Sequence, residues 1–174
     1  GAEDPDAFRT PAADVARPHV QALVADPEPM LARAARIAGG AVWGFRSQWF
    51  DFGSPPDWRL NPETGDHWPD RHSSAAIIGA DTRALGDIKL TWEIGRFQWV
   101  IDLVRAWLVD GDPAHVDVLF AWVESFRQHN PLLQGPHWSS EQEIAVRALM
   151  LLWARDVMRG TDVLTPRRLT LLHA

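Results

Sequence analysis

Between Ile144 and Ala154 the stretch "IAVRALMLLWA" carries a single polar residue, Arg147, and Glu143 precedes it by one helical turn. A helix that is apolar on every side is a buried helix, so a Glu and an Arg four residues apart on it are charges removed from water. His137 and Trp138 stand at its mouth. A second set lies earlier, in "DIKLTWEIGRFQWVIDLVRAWLV". At about 100° per residue Lys89, Glu93 and Arg96 share one narrow sector with Trp92 beside them. Further along, that sector becomes Val100, Leu103 and Trp107, while Gln98, Asp102 and Arg105 fall on an opposite, solvated edge.

Buried unpaired, each such group would cost several kcal/mol, so the two sets must pair with one another or face a water-filled cleft. Carboxylates, guanidinium groups and an imidazole beside large aromatic rings can exchange protons with a polar ligand and hold its charge. Taken singly, Glu143 with Arg147, and Glu93 with Lys89 or Arg96, read as ion pairs that fix helix register. His137 alone reads as a loop histidine bonded to backbone. The functional reading comes from convergence: short connections make successive helices antiparallel, which brings the amino ends of the first and third helices to one end of a bundle.

Three helices are expected to position these groups. The first spans Asp87 to Val109 and is ended by "DGD"; the second starts from Asp112 as N-cap with Pro113 following and runs to about Gln128. The third runs from about Ser140 to Arg159, with capping boxes from Ser139 to Gln142 and from Ser140 to Glu143, and Gly160 closing it. Thr165-Pro166 opens a fourth helix just before the sequence stops, so the chain reads as truncated, or as pairing its last helix with a partner. Upstream, residues 1–14 read as a polar arm and 15–174 as one helical domain. Arg17 to Ile37 holds two short helices broken at "DPEP", stopped by Gly39-Gly40. "AVWGFRSQWFDFG" alternates, with Trp43, Phe45 and Trp49 on one side, and predicts a hairpin or extended cover. The irregular stretch 53–74 is long for a compact domain, a length that points to function. Its "NPETG" from Asn61 reads as turn chemistry first and substrate contact second. The fold class is therefore mainly α with a short β element.

Composition narrows the partners. The 174 residues suffice for one domain burying roughly 70% of its unfolded surface. A net charge of −6 with scattered Arg residues argues against nucleic acid. Ten tryptophans without a tyrosine concentrate the aromatic area in rings suited to cores and to sugar faces. Cysteine is absent, which removes disulfides and thiolate metal sites. No apolar run approaches the roughly 20 residues of a membrane span. His67, His72 and His137 lack any tight metal-ligand spacing and read as separate histidines, so no metal or cofactor is called for.

The stretches "DWRLNPETGDHWP", "DIKLTWEIGRFQW" and "HNPLLQGPHWSSEQEIAVRALMLLWA" resemble, in order, three motifs of the N-terminal helical region of heparinase II/III-like polysaccharide lyases. These are a W-x-x-N-P-x-T-G turn, a D-I-K-x-x-W-E-x-x-R-F-Q helix and an N-P-x-x-x-G-[NHV]-W-x-S-x-x-E-x-A-x-R helix. The likeness covers about residues 53–155. It implies part of an incomplete (α/α) toroid, completed in full-length members by a β-sandwich, and a secreted or periplasmic setting. It also implies cleavage of uronic-acid-containing polysaccharides by β-elimination, with an acidic polysaccharide and the missing C-terminal part, or a partner chain, as partners. By motif position His137 would neutralise the uronate carboxylate. Trp138, Trp92, Arg96, Lys89 and Trp58 would contact sugar, and Glu93, Glu143 and Arg147 would support them. The family's base or acid is a tyrosine, with further histidines supplied later, so the 174 residues alone are expected to be inactive.

Two other readings use the same residues. A glycoside hydrolase on a helical toroid would need a carboxylate pair, for which Glu93 and Glu143 are the obvious choice. Each has a basic residue one turn away, which favours constant ionisation over a raised pKa. A glycan-binding or assembly module would use the Trp-rich end without catalysis.

Overall fold

The computed structural model describes residues 10–45, 47–69, 76–77 and 85–173. The described chain is mainly helical with one small antiparallel sheet. Helices α1 (Ala13–Leu23) and α2 (Glu28–Ala38) come first, then strands β1 (Ala41–Gly44) and β2 (Gln48–Asp51). After an irregular stretch come α3 (Ile88–Gly95), α4 (Trp99–Asp110), α5 (Ala114–His129), a 3-10 turn (Pro136–Trp138), α6 (Glu141–Met158) and α7 (Pro166–His173). Among the described residues no helix is long and apolar enough to cross a membrane.

Helix α4 is the hub. Val100, Leu103, Val104, Ala106, Trp107 and Leu108 are all buried, because α1, α2, α5 and α6 pack around it. Helix α1 begins at Ala13, inside the stretch read as an arm, and is tied to the end of α4 by Gln21, whose Nε2 donates to Val109 O at 2.8 Å. Gly111 ends α4 with φ 81°, where a side chain would be strained. Thr165 Oγ1 accepts from Arg168 N at 3.3 Å, as its N-cap role requires, whereas α5 opens one residue later than expected, with Pro113 as N-cap, and Asp112 accepts from Ala114 N at 2.9 Å from just outside it. The capping boxes at α6 do not form: Ser140 makes no side-chain cap, and Ser139 Oγ donates to Pro136 O at 2.6 Å.

The expected helix from Asp87 to Val109 is two helices. Asp87 caps α3 through Lys89 N at 3.0 Å, and the break falls at Arg96–Gln98, where Phe97 takes φ 60°. What holds the break is aromatic packing. Phe97 turns inward against Trp99 and Phe126, with centroids 5.1 and 5.0 Å away, and Trp99 Nε1 donates to Ile94 O at 3.0 Å. Burying a large ring offsets the hydrogen bonds that a continuous helix would have kept.

The hairpin forms with Val42 opposite Phe50 and Trp43 opposite Trp49. Trp43 and Trp49 share a face, but Phe45 does not join them: its φ of 49° carries its ring to the other face, against Phe50. Arg36 lies 4.4 Å from the Trp49 centroid, and Arg33 lies 5.2 Å from Trp49 and 5.6 Å from Trp43. Arg33 also donates twice to the Asp102 carboxylate, at 3.1 and 2.9 Å, joining α2, hairpin and α4. Asp102 is thus an anchor rather than a solvated edge. Arg33→Ala is expected to cost about 1–2 kcal/mol in denaturant unfolding, and Arg33→Lys to recover less than half, because an ammonium neither forks onto the carboxylate nor stacks as a plane.

Candidate functional site

Four of the charged residues picked out by pattern meet in one network between α3 and α6. Glu93 is 2% exposed, Glu143 4% and Arg147 5%. Arg96, at the end of α3, donates Nε and Nη2 to the two oxygens of Glu143 at 2.5 and 3.0 Å, and Nη1 to Glu93. Glu93 also accepts the Phe45 backbone N–H at 3.3 Å, and the Phe45 ring lies 5.9 Å from the Arg96 guanidinium. The hairpin turn therefore roofs the network. Arg147, one turn after Glu143, donates to the carbonyls of Gly95 at 3.0 Å and His137 at 2.8 Å, and its guanidinium lies 4.5 Å from the Phe126 centroid and 4.8 Å from Trp138.

The charges respond to burial. Loss of water raises the Glu93 pKa above the usual carboxylate value, although Arg96 and the Phe45 N–H pull it down. This corrects the expectation that a neighbouring cation keeps Glu93 firmly ionised. Burial alone would lower Arg96, but its two carboxylates outweigh that and raise it. Arg147 is lowered to about 10, chiefly by burial, with Glu143 opposing.

His137 is 1% exposed. Its Nε2 lies 2.5 Å from Trp58 O, and because a carbonyl only accepts, Nε2 carries the proton. The ring lies against Gly95 so closely that any Cβ there would overlap Nδ1. Burial, then the Arg147 charge, lowers its pKa to about 3 despite the bond to Trp58. His137 is therefore neutral, with its donor already used.

The remaining candidates separate. Trp92 and Trp138 are half-buried, with Nε1 donating to Pro136 O at 2.9 Å and Asn130 O at 3.2 Å. Trp58 is buried among Trp122, Phe126 and Phe97, with Nε1 donating to Ser125 Oγ at 3.0 Å, and offers no face to a ligand. Lys89 does not join: its side chain is 60% exposed and its ammonium lies 3.8 Å from Asp87. His67 pairs with Asp57 at 2.7 Å, and His72 lies outside the described residues. Asn61 behaves as turn chemistry, accepting from Glu63 N at 3.0 Å, while its Nδ2 fastens the turn to Leu85 O at 2.7 Å before α3.

A groove of about 380 Å³ opens beside the network, between α5, α6 and α7, with Trp138, Arg147, Asn130, Leu151 and Leu171 among its walls. A hollow of about 480 Å³ near the start of α1 touches none of the candidates. Pattern reading missed three positions that make the site: Gly95, Phe45 and Phe126. A glycine inside the apolar run "WEIGRF" was a legible sign of close approach. The other two depend on tertiary placement.

No family model, curated protein or solved structure matches this chain.

The geometry separates the two carboxylates. Glu143→Gln strips Arg96 and Arg147 of their main counter-charge and is expected to cost about 3 kcal/mol or more in denaturant unfolding. Glu93→Gln keeps an acceptor for Phe45 N and Arg96 at a position that already resists ionisation, and is expected to cost about 1 kcal/mol. A second test uses pH. The unfolded chain protonates His137 near pH 6.5 and the folded chain only near 3, so its contribution to stability is complete above 6.5 and is lost progressively as pH falls towards 3. His137→Gln is expected to flatten the fall in stability between those values. Parallel profiles for the two proteins would refute the buried neutral imidazole.

Proposed function

We propose that this chain is the N-terminal helical portion of a heparinase II/III-like polysaccharide lyase, part of an (α/α) toroid that acts on uronic-acid-containing polysaccharides. One observation supports the reading above the rest: residues from all three motifs that carry the resemblance are contact partners. Trp58 of the first accepts from His137 of the third, His137 packs on Gly95 of the second, and Arg96 of the second forks onto Glu143 of the third.

β-Elimination needs a base for the proton α to the carboxylate, an acid for the departing glycosidic oxygen and donors for the charge that builds on the carboxylate. In this reading His137 is a positioning residue, since its one N–H already goes to Trp58 O. The buried network acts as a frame that fixes the 3-10 turn and so aims Trp138 at the groove, where its ring is available for sugar stacking, with Trp92 beside the same turn. The base and acid come from elsewhere in the protein, because the chain has no tyrosine and its buried imidazole holds no free donor.

A second reading, a glycan-binding or assembly module, is favoured by the closure of the network: Glu93, Glu143 and Arg96 satisfy one another and leave no open acid–base pair. The hydrolase alternative is weakened by the same fact, since one guanidinium ties both carboxylates.

Uronate polymers such as alginate, heparin and polyglucuronate distinguish the readings, with release of unsaturated ends followed by ultraviolet absorbance. The gene product that contains this chain is expected to release them, and the 174-residue chain to release none. Trp138→Ala in the longer protein is expected to raise KM about tenfold or more with a smaller effect on kcat. Absence of unsaturated ends from every uronate polymer, with retained glycan binding, would sink the lyase and leave the binding module.

A further inference from the structure

The groove between α5, α6 and α7 differs in charge from the rest of the chain. The protein carries a net −6, yet the described residues that line the groove include two arginines, Arg127 and Arg147, and no carboxylate. The acidic groups on the same helices are engaged elsewhere or lie outside its wall. Asp117 and Glu124 are bound by Arg168 and Arg167, Glu143 by Arg96, Asp156 lies 3.9 Å from Arg155, and Glu141 is not part of the wall. Arg147 is 5% exposed and already donates to two carbonyls. Arg127 is exposed at the rim and has no carboxylate partner among the described residues.

Asn130 adds an acceptor. It is 4% exposed, and because a carbonyl only accepts, its amide is oriented by Nδ2, which donates to Phe126 O at 2.9 Å. Its Oδ1 accepts nothing from the described residues. Sealed from water in that state it would cost about 1–3 kcal/mol. Among the described residues, however, the sealed side-chain polar atom without a partner is Trp68 Nε1, so Asn130 Oδ1 opens on the groove that Asn130 lines. The carbonyls that end α5 there do not repel an anion freely: Phe126 O also takes Asn130 N at 2.9 Å, and Asn130 O takes Trp138 Nε1 at 3.2 Å.

We infer that the groove is a uronate subsite in which Arg127 binds the carboxylate and Asn130 Oδ1 accepts a hydroxyl of the same sugar, with Trp138 against its C–H face. This rests on the reading of the chain as the sugar-binding part of a uronate-cleaving protein. A neutral sugar would leave the positive charge uncompensated, and a fatty acid would leave the amide oxygen unpaired. A hydroxylated ring with a carboxylate and an apolar face meets all three groups.

The test is a titration of the 174-residue chain followed in nitrogen–proton spectra, with the Trp138 indole N–H assigned by its loss in Trp138→Phe. Tetramers of mannuronate and of β-1,4-linked glucuronate are the acidic probes. Cellotetraose, with hydroxymethyl groups in place of the glucuronate carboxylates, is the neutral one. At least one acid is expected to shift that indole saturably and to bind about tenfold or more tighter than cellotetraose. Arg127→Gln, at an exposed position, is expected to keep the thermal midpoint and bring the acid down to the level of cellotetraose. Asn130→Ala is expected to weaken acidic and neutral tetramers alike, by about fivefold. Because Asn130 also holds the end of α5, Arg127→Gln is the deciding variant. No saturable shift with either acid would overturn the subsite, as would equal binding of acid and neutral tetramers or an Arg127→Gln chain that still discriminates. Failure of the lyase reading looks different: carboxylate-selective binding that depends on Arg127, with no unsaturated ends from the longer protein, keeps the subsite and removes the reaction. Turnover by the longer protein with a KM indifferent to Arg127→Gln keeps the reaction and removes the subsite.

Discussion

The close approach of the His137 ring to Gly95 is the contact on which the site end of the molecule depends. It requires a residue without Cβ at the end of α3, a break in the helix immediately after it, and a 3-10 turn that delivers the imidazole from the far side. The freed Gly95 carbonyl then needs a donor in a place without water, and Arg147 supplies it while also binding the His137 carbonyl. Once Arg147 is buried it needs compensation of its own, which comes from Glu143 and from the faces of Phe126 and Trp138. Each group thus creates the requirement that the next one meets.

Buried charge of this kind is a poor source of stability and a good source of specificity. Taking ions out of water costs several kcal/mol each, and good geometry does little more than return that cost. Arg96 illustrates the balance: a fork onto Glu143, a third bond to Glu93 and a roof of Phe45 leave few of its donors unused. What the network secures is a single arrangement of α3, α6 and the hairpin, because any other register would strand a carboxylate or a guanidinium. The apolar hub around α4 carries the bulk of the folding free energy and is indifferent to that choice.

The helices, the hairpin and the convergence of the two polar sets were legible in the sequence because they rest on periodicity and on local turn residues. Thr165 caps as its position suggests. Glu93, Arg96, Glu143 and Arg147 were visible as charges on apolar faces. The helix break at Phe97 was not, since "GRFQW" satisfies helical periodicity and only the distant rings of Phe126 and Trp99 decide against it. Lys89 shared a sector with Glu93 on the wheel, but it sits in the first turn of α3, where solvent is within reach, so it had no need of the network. The burial of Trp58 and the saturation of His137 were hidden for a related reason: a motif tells which residues lie near a site, and only packing tells which of them face a ligand.

The imidazole of His137 reports on the whole arrangement. Long-range nitrogen–proton correlation spectra of its ring, followed from neutral to mildly acid pH, are expected to show a neutral ring protonated at Nε2, with no titration down to about pH 4. A ring protonated at Nδ1, or one that becomes imidazolium with a midpoint near 6.5, would place His137 in water and contradict the account.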